Sequence, residues 1–110
     1  MTGAAQSDWV ARMNGLDRGW VHQMGLEFTE AGAERVVAQL PLDERHHQSF
    51  GIVHGGVYAS VIETVASVGA VVVAEPRGQA VAGVENSTSF LRAARTGTLT
   101  AVGQQLSTGR

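Results

Sequence analysis

The sequence has no cysteine, so disulfides and thiolate chemistry are excluded, and a reducing, cytoplasmic setting is the expectation. It has no excess of positive charge either. The formal net charge is −2, which gives nucleic acid nothing to be drawn to. Ordered metal-ligand spacing is missing as well. His46, His47, His54 and Glu63 could be assembled as a ligand set on paper. Adjacent histidines usually point apart, however, and there is no H-E-x-x-H or similar pattern, so no metal is expected. Only two prolines occur, Pro41 and Pro76, and both read as stops. There is no repeat, low-complexity tract or linker, so the 110 residues read as one domain with a real but modest core, residues 1–19 forming a helical lead.

Residues 1–7 are small and polar, without the basic region and apolar core of a signal peptide. The longest apolar run, residues 57–74, approaches transmembrane length. Ser60, Glu63, Thr64 and Ser67 lie inside it and argue against a bilayer, so no membrane partner is expected.

Taken in order, Ser7 is placed to cap a short helix through Trp9, Val10 and Met13, and Gly15 to stop it. Leu16, Trp20, Val21 and Met24 suggest a second helical turn ending at Gly25. The two tryptophans read as a lid on the core, and His22 as a surface residue. Residues 26–29 and 35–40 have strand character and are joined by a hairpin, with Pro41 ending the second strand. Residues 42–53 form a loop whose start, Asp43, Glu44 and Arg45, is solvated; one of His46 and His47 could fix its turn. After a long apolar helix, residues 75–78 break the chain. Residues 79–91 alternate with period two as a strand, Thr96-Gly97 turns, and residues 98–106 return. The order helical lead, β, β, helix, β, β predicts an α+β architecture with one helix on an antiparallel sheet. Such a sheet leaves strand edges open, so oligomerisation is expected.

Chemistry is concentrated in residues 46–74. A polar loop ends in His54-Gly55-Gly56, and one ionisable residue, Glu63, interrupts the apolar helix that follows. At about 100° per residue, Gly56, Ala59, Ser60, Glu63, Ala66, Ser67 and Ala70 share one face, opposite Tyr58, Val61, Val65, Val68 and Val72. The bulky face should pack on a sheet, while the small-residue face lets another backbone or a ligand come close. Glu63 is therefore expected to sit with little water. A carboxylate there costs several kcal/mol unless paired, hydrogen-bonded or protonated, and is a candidate general base or nucleophile. The glycine pair would open a helix N-terminus to a ligand oxygen, so that its amides could hold a carbonyl as it becomes an oxyanion. Glu63 lies about two turns on, roughly 10 Å along the axis, which suggests that the partner acid comes from a second chain.

Gln48, the run Phe50-Gly51-Ile52-Val53-His54-Gly55-Gly56, Glu63, Ser67 and the run Asn86-Ser87-Thr88-Ser89-Phe90-Leu91-Arg92 together resemble the hotdog-fold acyl-CoA thioesterases of the PaaI-like, 4-hydroxybenzoyl-CoA thioesterase group. The likeness covers roughly residues 20–110. It implies a sheet wrapped around the central helix and subunits joined edge to edge as a homodimer, with sites at the interface; sibling families stack dimers in different ways, so a homodimer and a dimer of dimers both stay open. It implies Glu63 as base or nucleophile, the Gly55 amide as oxyanion donor, Gln48 and His54 orienting the acyl end, and Ser67 positioning the water or the acid. Glu63 would come from one chain and Gln48 with Gly55 from the other. Coenzyme A, part of the substrate rather than a cofactor, would lie near Gly56, Gly83, Phe90, Leu91, Arg92, Ala93, Ser107, Thr108, Gly109 and Arg110. Arg92 and Arg95 are reasonable phosphate partners on charge grounds, and equally reasonable as solvated charges. The resemblance also implies two further strands that these residues do not contain, leaving a sheet edge and part of the helix uncovered. The implied activity is hydrolysis of an acyl-CoA thioester with an aromatic or medium-size acyl group. Two other readings are a hotdog hydratase or dehydratase, disfavoured because no second histidine follows the helix, and a non-catalytic acyl-CoA-binding module, which Glu63 counts against.

Overall fold

The computed structural model describes residues 3–75, 78 and 96–104, with side chains from residue 8 onward. The expected strand over 79–91 and the residues assigned to coenzyme A, Gly83, Phe90 to Ala93 and Ser107 to Arg110, lie outside the described residues, as does Arg95.

The amino-terminal helix α1 spans Gly3–Asn14 and begins before Ser7, so Ser7 is interior to it and not its cap. Gly15 does stop it, its N–H donating to the Ala11 carbonyl at 2.9 Å. Asn14 then does the work of a neighbouring strand. Its Nδ2 donates to the Phe28 carbonyl at 2.8 Å and its Oδ1 accepts the Phe28 N–H at 2.7 Å, so the last residue of α1 satisfies an edge position of the sheet. Arg12 stacks 3.9 Å over the Trp9 ring and pairs with Glu75 at 3.1 Å, tying α1 to the far end of the central helix. A short helix α2, Gly19–Met24, ends at Gly25 in the left-handed conformation, as expected. Trp9 packs on the core, but Trp20 is 54% exposed and covers little of it.

Strands β1 (Glu27–Ala31), β2 (Arg35–Leu42) and β3 (Gly97–Gln104) form an antiparallel sheet in the order β1-β2-β3. The first two make the expected hairpin. Pro41 does not end β2, which pairs with β3 through Pro41↔Thr98 to Leu42↔Gly97. The reason is local: the β1 pairing stops at Gln39, so at Pro41 one side of the strand has no described partner and a missing N–H costs the ladder little there. Along β3, Leu99, Ala101 and Gly103 are half-buried while their neighbours are exposed, the alternation of a strand with one covered face.

Helix α3, Gly55–Ala74, lies on that face. By length and composition it could cross a membrane. Here Val57, Val61, Val65, Val68 and Val72 instead pack with Phe28, Val36, Ala38 and Leu40 in one apolar cluster, as a core helix does. Each fully buried valine contributes about 1.5–3 kcal/mol relative to exposure. The approach is close enough at one point that a Cβ on Gly103 would stand 2.8 Å from a Val65 methyl. Beside it, a groove of about 220 Å³ lined by Tyr58, Ile62, Ala66, Leu99 and Ala101 remains open, and Ile62 is 45% exposed.

Candidate active site

Residues 46–54 form a loop closed upon itself. His47 bridges Val53, the Gln48 N–H donates to the Ile52 carbonyl at 2.8 Å, and the Gly51 N–H returns to the Gln48 carbonyl at 3.1 Å. The His54 N–H donates to the His46 carbonyl at 2.8 Å, so the entry and exit of the loop are held together just before α3 begins. Within it, the Gln48 side-chain oxygen accepts the Phe50 N–H. That leaves the Gln48 NH₂ group as its donor end, while the Phe50 ring projects into solvent at 83% exposure.

The loop's beginning is fixed by a 3₁₀ turn, Glu44–His46, capped by Asp43. The Asp43 carboxylate accepts the Arg45 N–H at 3.0 Å, and that bond, with the Arg45 guanidinium beside it, holds its carboxyl below the ordinary range. Asp43, expected to be merely solvated, thus has a structural task. His46 completes the box and is the histidine that fixes the turn.

At the start of α3 the sequence reading is half right. Gly55 and Gly56 are the first two helical residues, as expected. Their amides are not both open to a ligand. The His54 ring is the N-cap, its Nδ1 accepting the Gly56 N–H at 2.7 Å. A Cβ at Gly56 would lie 2.9 Å from that nitrogen, so glycine is needed for the ring to reach its seat. Two consequences follow. The Gly55 N–H is the first-turn donor with no partner among the described residues, and it sits at the positive end of a 20-residue helix. His54, with Nδ1 engaged as acceptor, carries its proton on exposed Nε2 in the neutral form, so it offers a donor outward and no base.

Glu63 contradicts one expectation. It is exposed in the protomer rather than starved of water, because the sheet packs on the valine face and Glu63 points away from it. Ala66 is likewise exposed, and Gly56, Ala59, Ser60, Ser67 and Ala70 are half-buried. The small-residue face is real and open. Ser67, one turn along, donates its hydroxyl to Glu63 Oε1 at 3.2 Å, the pairing anticipated for it. Gly55 and Glu63 stand more than two turns apart on one helix, so no single carbon can touch both within one protomer. The structure therefore brings together Glu63 with Ser67, and His54 with Gly56, as two separate clusters. No group of three or more potential metal ligands occurs among the described residues.

Sequence reasoning missed Asn14 and underrated His46. A signal for the second was present: Asp43 three residues before His46 is capping-box spacing, with histidine in place of the usual acid or amide.

A family model described as the Thioesterase superfamily matches residues 50–110. The proofreading thioesterase EntH of Cronobacter turicensis is 39% identical over 90 residues, 82% of this chain and 65% of that protein. Among solved structures, thioesterase HI1161 of Haemophilus influenzae has a TM-score of 0.81 at 31% identity, covering 92% of this chain and 71% of its own. The crystal structure of S. sahachiroi AziG has a TM-score of 0.72 at 33% identity, covering 84% and 75%. The chain spans 64 to 69% of the length of the curated relatives it matches.

Proposed function

Because this chain belongs to the thioesterase superfamily and has its hotdog fold, we propose that it hydrolyses an acyl-CoA thioester to the free acid and coenzyme A. The observation that carries the reading is Glu63: an acid on an otherwise apolar helix, turned away from its own core and held by Ser67 at 3.2 Å. An exposed acid on an open stripe of small residues is in place for a second copy to close over it. In an antiparallel pairing of two such helices, Glu63 of one chain would face the Gly55 tip of the other, which removes the two-turn gap.

In that arrangement the thioester carbonyl oxygen accepts the Gly55 N–H, which has no partner among the described residues and whose helix-dipole field favours developing negative charge. The Gln48 NH₂ and the His54 Nε2–H, from the loop that leads into the same helix tip, are further donors suited to orienting the acyl end. Glu63 takes a proton from water as the water oxygen bonds to the acyl carbon, and the carbon–sulfur bond then breaks to release the coenzyme A thiolate. In the other route, a Glu63 oxygen attacks first and gives a mixed anhydride that water cleaves. Ser67 holds the acid's orientation in both. A carboxylate, an amide and water are enough, and no cofactor is invoked. The resemblance supports an aromatic or medium-size acyl group, coenzyme A held through residues such as Arg92, and a homodimer that either stands alone or stacks as a dimer of dimers; the lack of cysteine is compatible with a cytoplasmic site of action.

Thiol release from a panel of aryl and alkyl CoA esters tests the reading. Glu63→Ala should lose hydrolysis by about 10² or more while still binding coenzyme A. Its Tm should stay within a few degrees, since an exposed side chain away from the core changes stability by about 0.5 kcal/mol or less. Hydrolysis by Glu63→Ala at the wild-type rate sinks the mechanism. Label from ¹⁸O-water found in Glu63 after one turnover would select the anhydride route.

A further inference from the structure

His46 is 2% exposed and has no part in the chemistry just described. A ring buried that deeply is tolerated only when both nitrogens are satisfied, and both are. Nδ1 accepts the Asp43 N–H at 3.0 Å. Nε2 faces the Met24 carbonyl at 2.7 Å, and since a carbonyl only accepts, Nε2 carries the proton. The ring thus joins the end of α2 to the 3₁₀ turn, across 22 residues of sequence. The same residue's carbonyl accepts the His54 N–H at 2.8 Å, and the His54 ring accepts the Gly56 N–H at 2.7 Å. Met24, His46, His54 and Gly56 therefore form one unbroken path of hydrogen bonds, which ends on the residue next to Gly55.

We infer that His46 is a positioning residue for the Gly55 amide: anchored at Met24, it fixes where His54 leaves the loop, and through the His54 cap it sets the direction of the first-turn N–H groups. It touches no substrate. The inference rests on the reading of Gly55 as the oxyanion donor. The chemistry needs such a fixture because the aim of a single amide is set by the peptide plane between His54 and Gly55, and His54 is exposed, outside the apolar core that holds the valine face of α3. A burial role alone would be served by an apolar residue. The geometry calls for a ring with an acceptor on one side and a donor on the other.

The test uses His46→Ala, which removes the path, and His46→Gln, whose terminal NH₂ can still reach the Met24 carbonyl. Steady-state thiol release is measured below the melting range of every variant, alongside amide hydrogen exchange. His46→Ala should lower kcat by about 30-fold with KM within about threefold, because a misaimed donor weakens the transition state more than ground-state binding. His46→Gln should recover to within about fivefold of wild-type kcat. Exchange at the Gly56 amide should rise about tenfold in His46→Ala, with no matching rise at Val37 or Ala38 in β2. Wild-type kcat in folded His46→Ala overturns the inference, as does exchange that rises equally in β2 and α3. If His46→Ala does not fold, His46→Gln decides: near-wild-type kcat with a protected Gly56 amide supports positioning, and a large loss of kcat with that amide still protected refutes it. A wild-type protein that releases no thiol from any ester, with the exchange pattern as described, overturns the hydrolysis reading and leaves the aiming of the turn by His46 standing.

Discussion

Replacing Gly56 with alanine separates the two uses of the α3 tip, capping the helix and presenting an amide. The added Cβ would stand 2.9 Å from His54 Nδ1 and 3.0 Å from Cε1, so the ring must leave its seat. Losing a side-chain cap costs about 1 kcal/mol. Alanine also narrows the unfolded ensemble and returns about 0.4–1 kcal/mol. These nearly cancel, so stability should change by less than about 1 kcal/mol, a Tm shift below about 8 °C. Catalysis has no such compensation. Once the ring is displaced, its Nε2–H loses its direction and the Gly56 N–H is released. The Gly55 amide then shares its first turn with a competing free donor. Since loss of an oxyanion donor costs about 10²–10³ in kcat, a misdirected one should cost at least about tenfold. Coenzyme A thiol release, followed with a disulfide reagent, is the assay. With no cysteine in the sequence, every thiol detected comes from product. Far-UV circular dichroism gives the Tm in parallel. Wild-type kcat in Gly56→Ala, or a loss of activity that only tracks a collapse in Tm, would refute the reasoning.

Ser67→Ala removes the 3.2 Å bond to Glu63 and should lower kcat by about three- to tenfold through a less oriented acid, with Tm nearly unchanged, as measured by the same two assays. The Arg45 N–H holds the Asp43 carboxyl below the ordinary aspartate value of 3.8, so its contribution is fully present above that pH and is lost as pH falls through the lower folded value. Asp43→Asn keeps a cap but cannot titrate, so the Tm difference between the two proteins should shrink below pH 3.8 and stay constant above it. Gly103→Ala pushes a methyl to 2.8 Å from Val65 and should cost about 1–3 kcal/mol, read by urea denaturation.

Much of this arrangement could be read before any coordinates. The valine stripe of α3, the glycine stop after α2 and the hairpin each follow from local chemistry, and so does a helix beginning at Gly55. The failures share one cause: they depend on partners remote in sequence. Pro41 stays in a strand because of where the β1 pairing ends. Asn14 looks like a helix terminus and turns out to serve Phe28. His46 looks like a loop residue until Met24 is seen opposite it. Glu63 appeared starved of water because the wheel shows that a face is small, not that anything covers it. A second copy, absent from any reading of one chain, is what that face would need.

The bridge from Trp9 through Arg12 to Glu75 gives the protein an optical gauge of its own. One indole lies under a guanidinium against the core, while the other, Trp20, is largely in water. Their emission should differ in colour, so detachment of the amino-terminal segment would red-shift the bluer component before the β-sheet signal melts. Early fraying at the end of α3 could then be watched without attaching a dye.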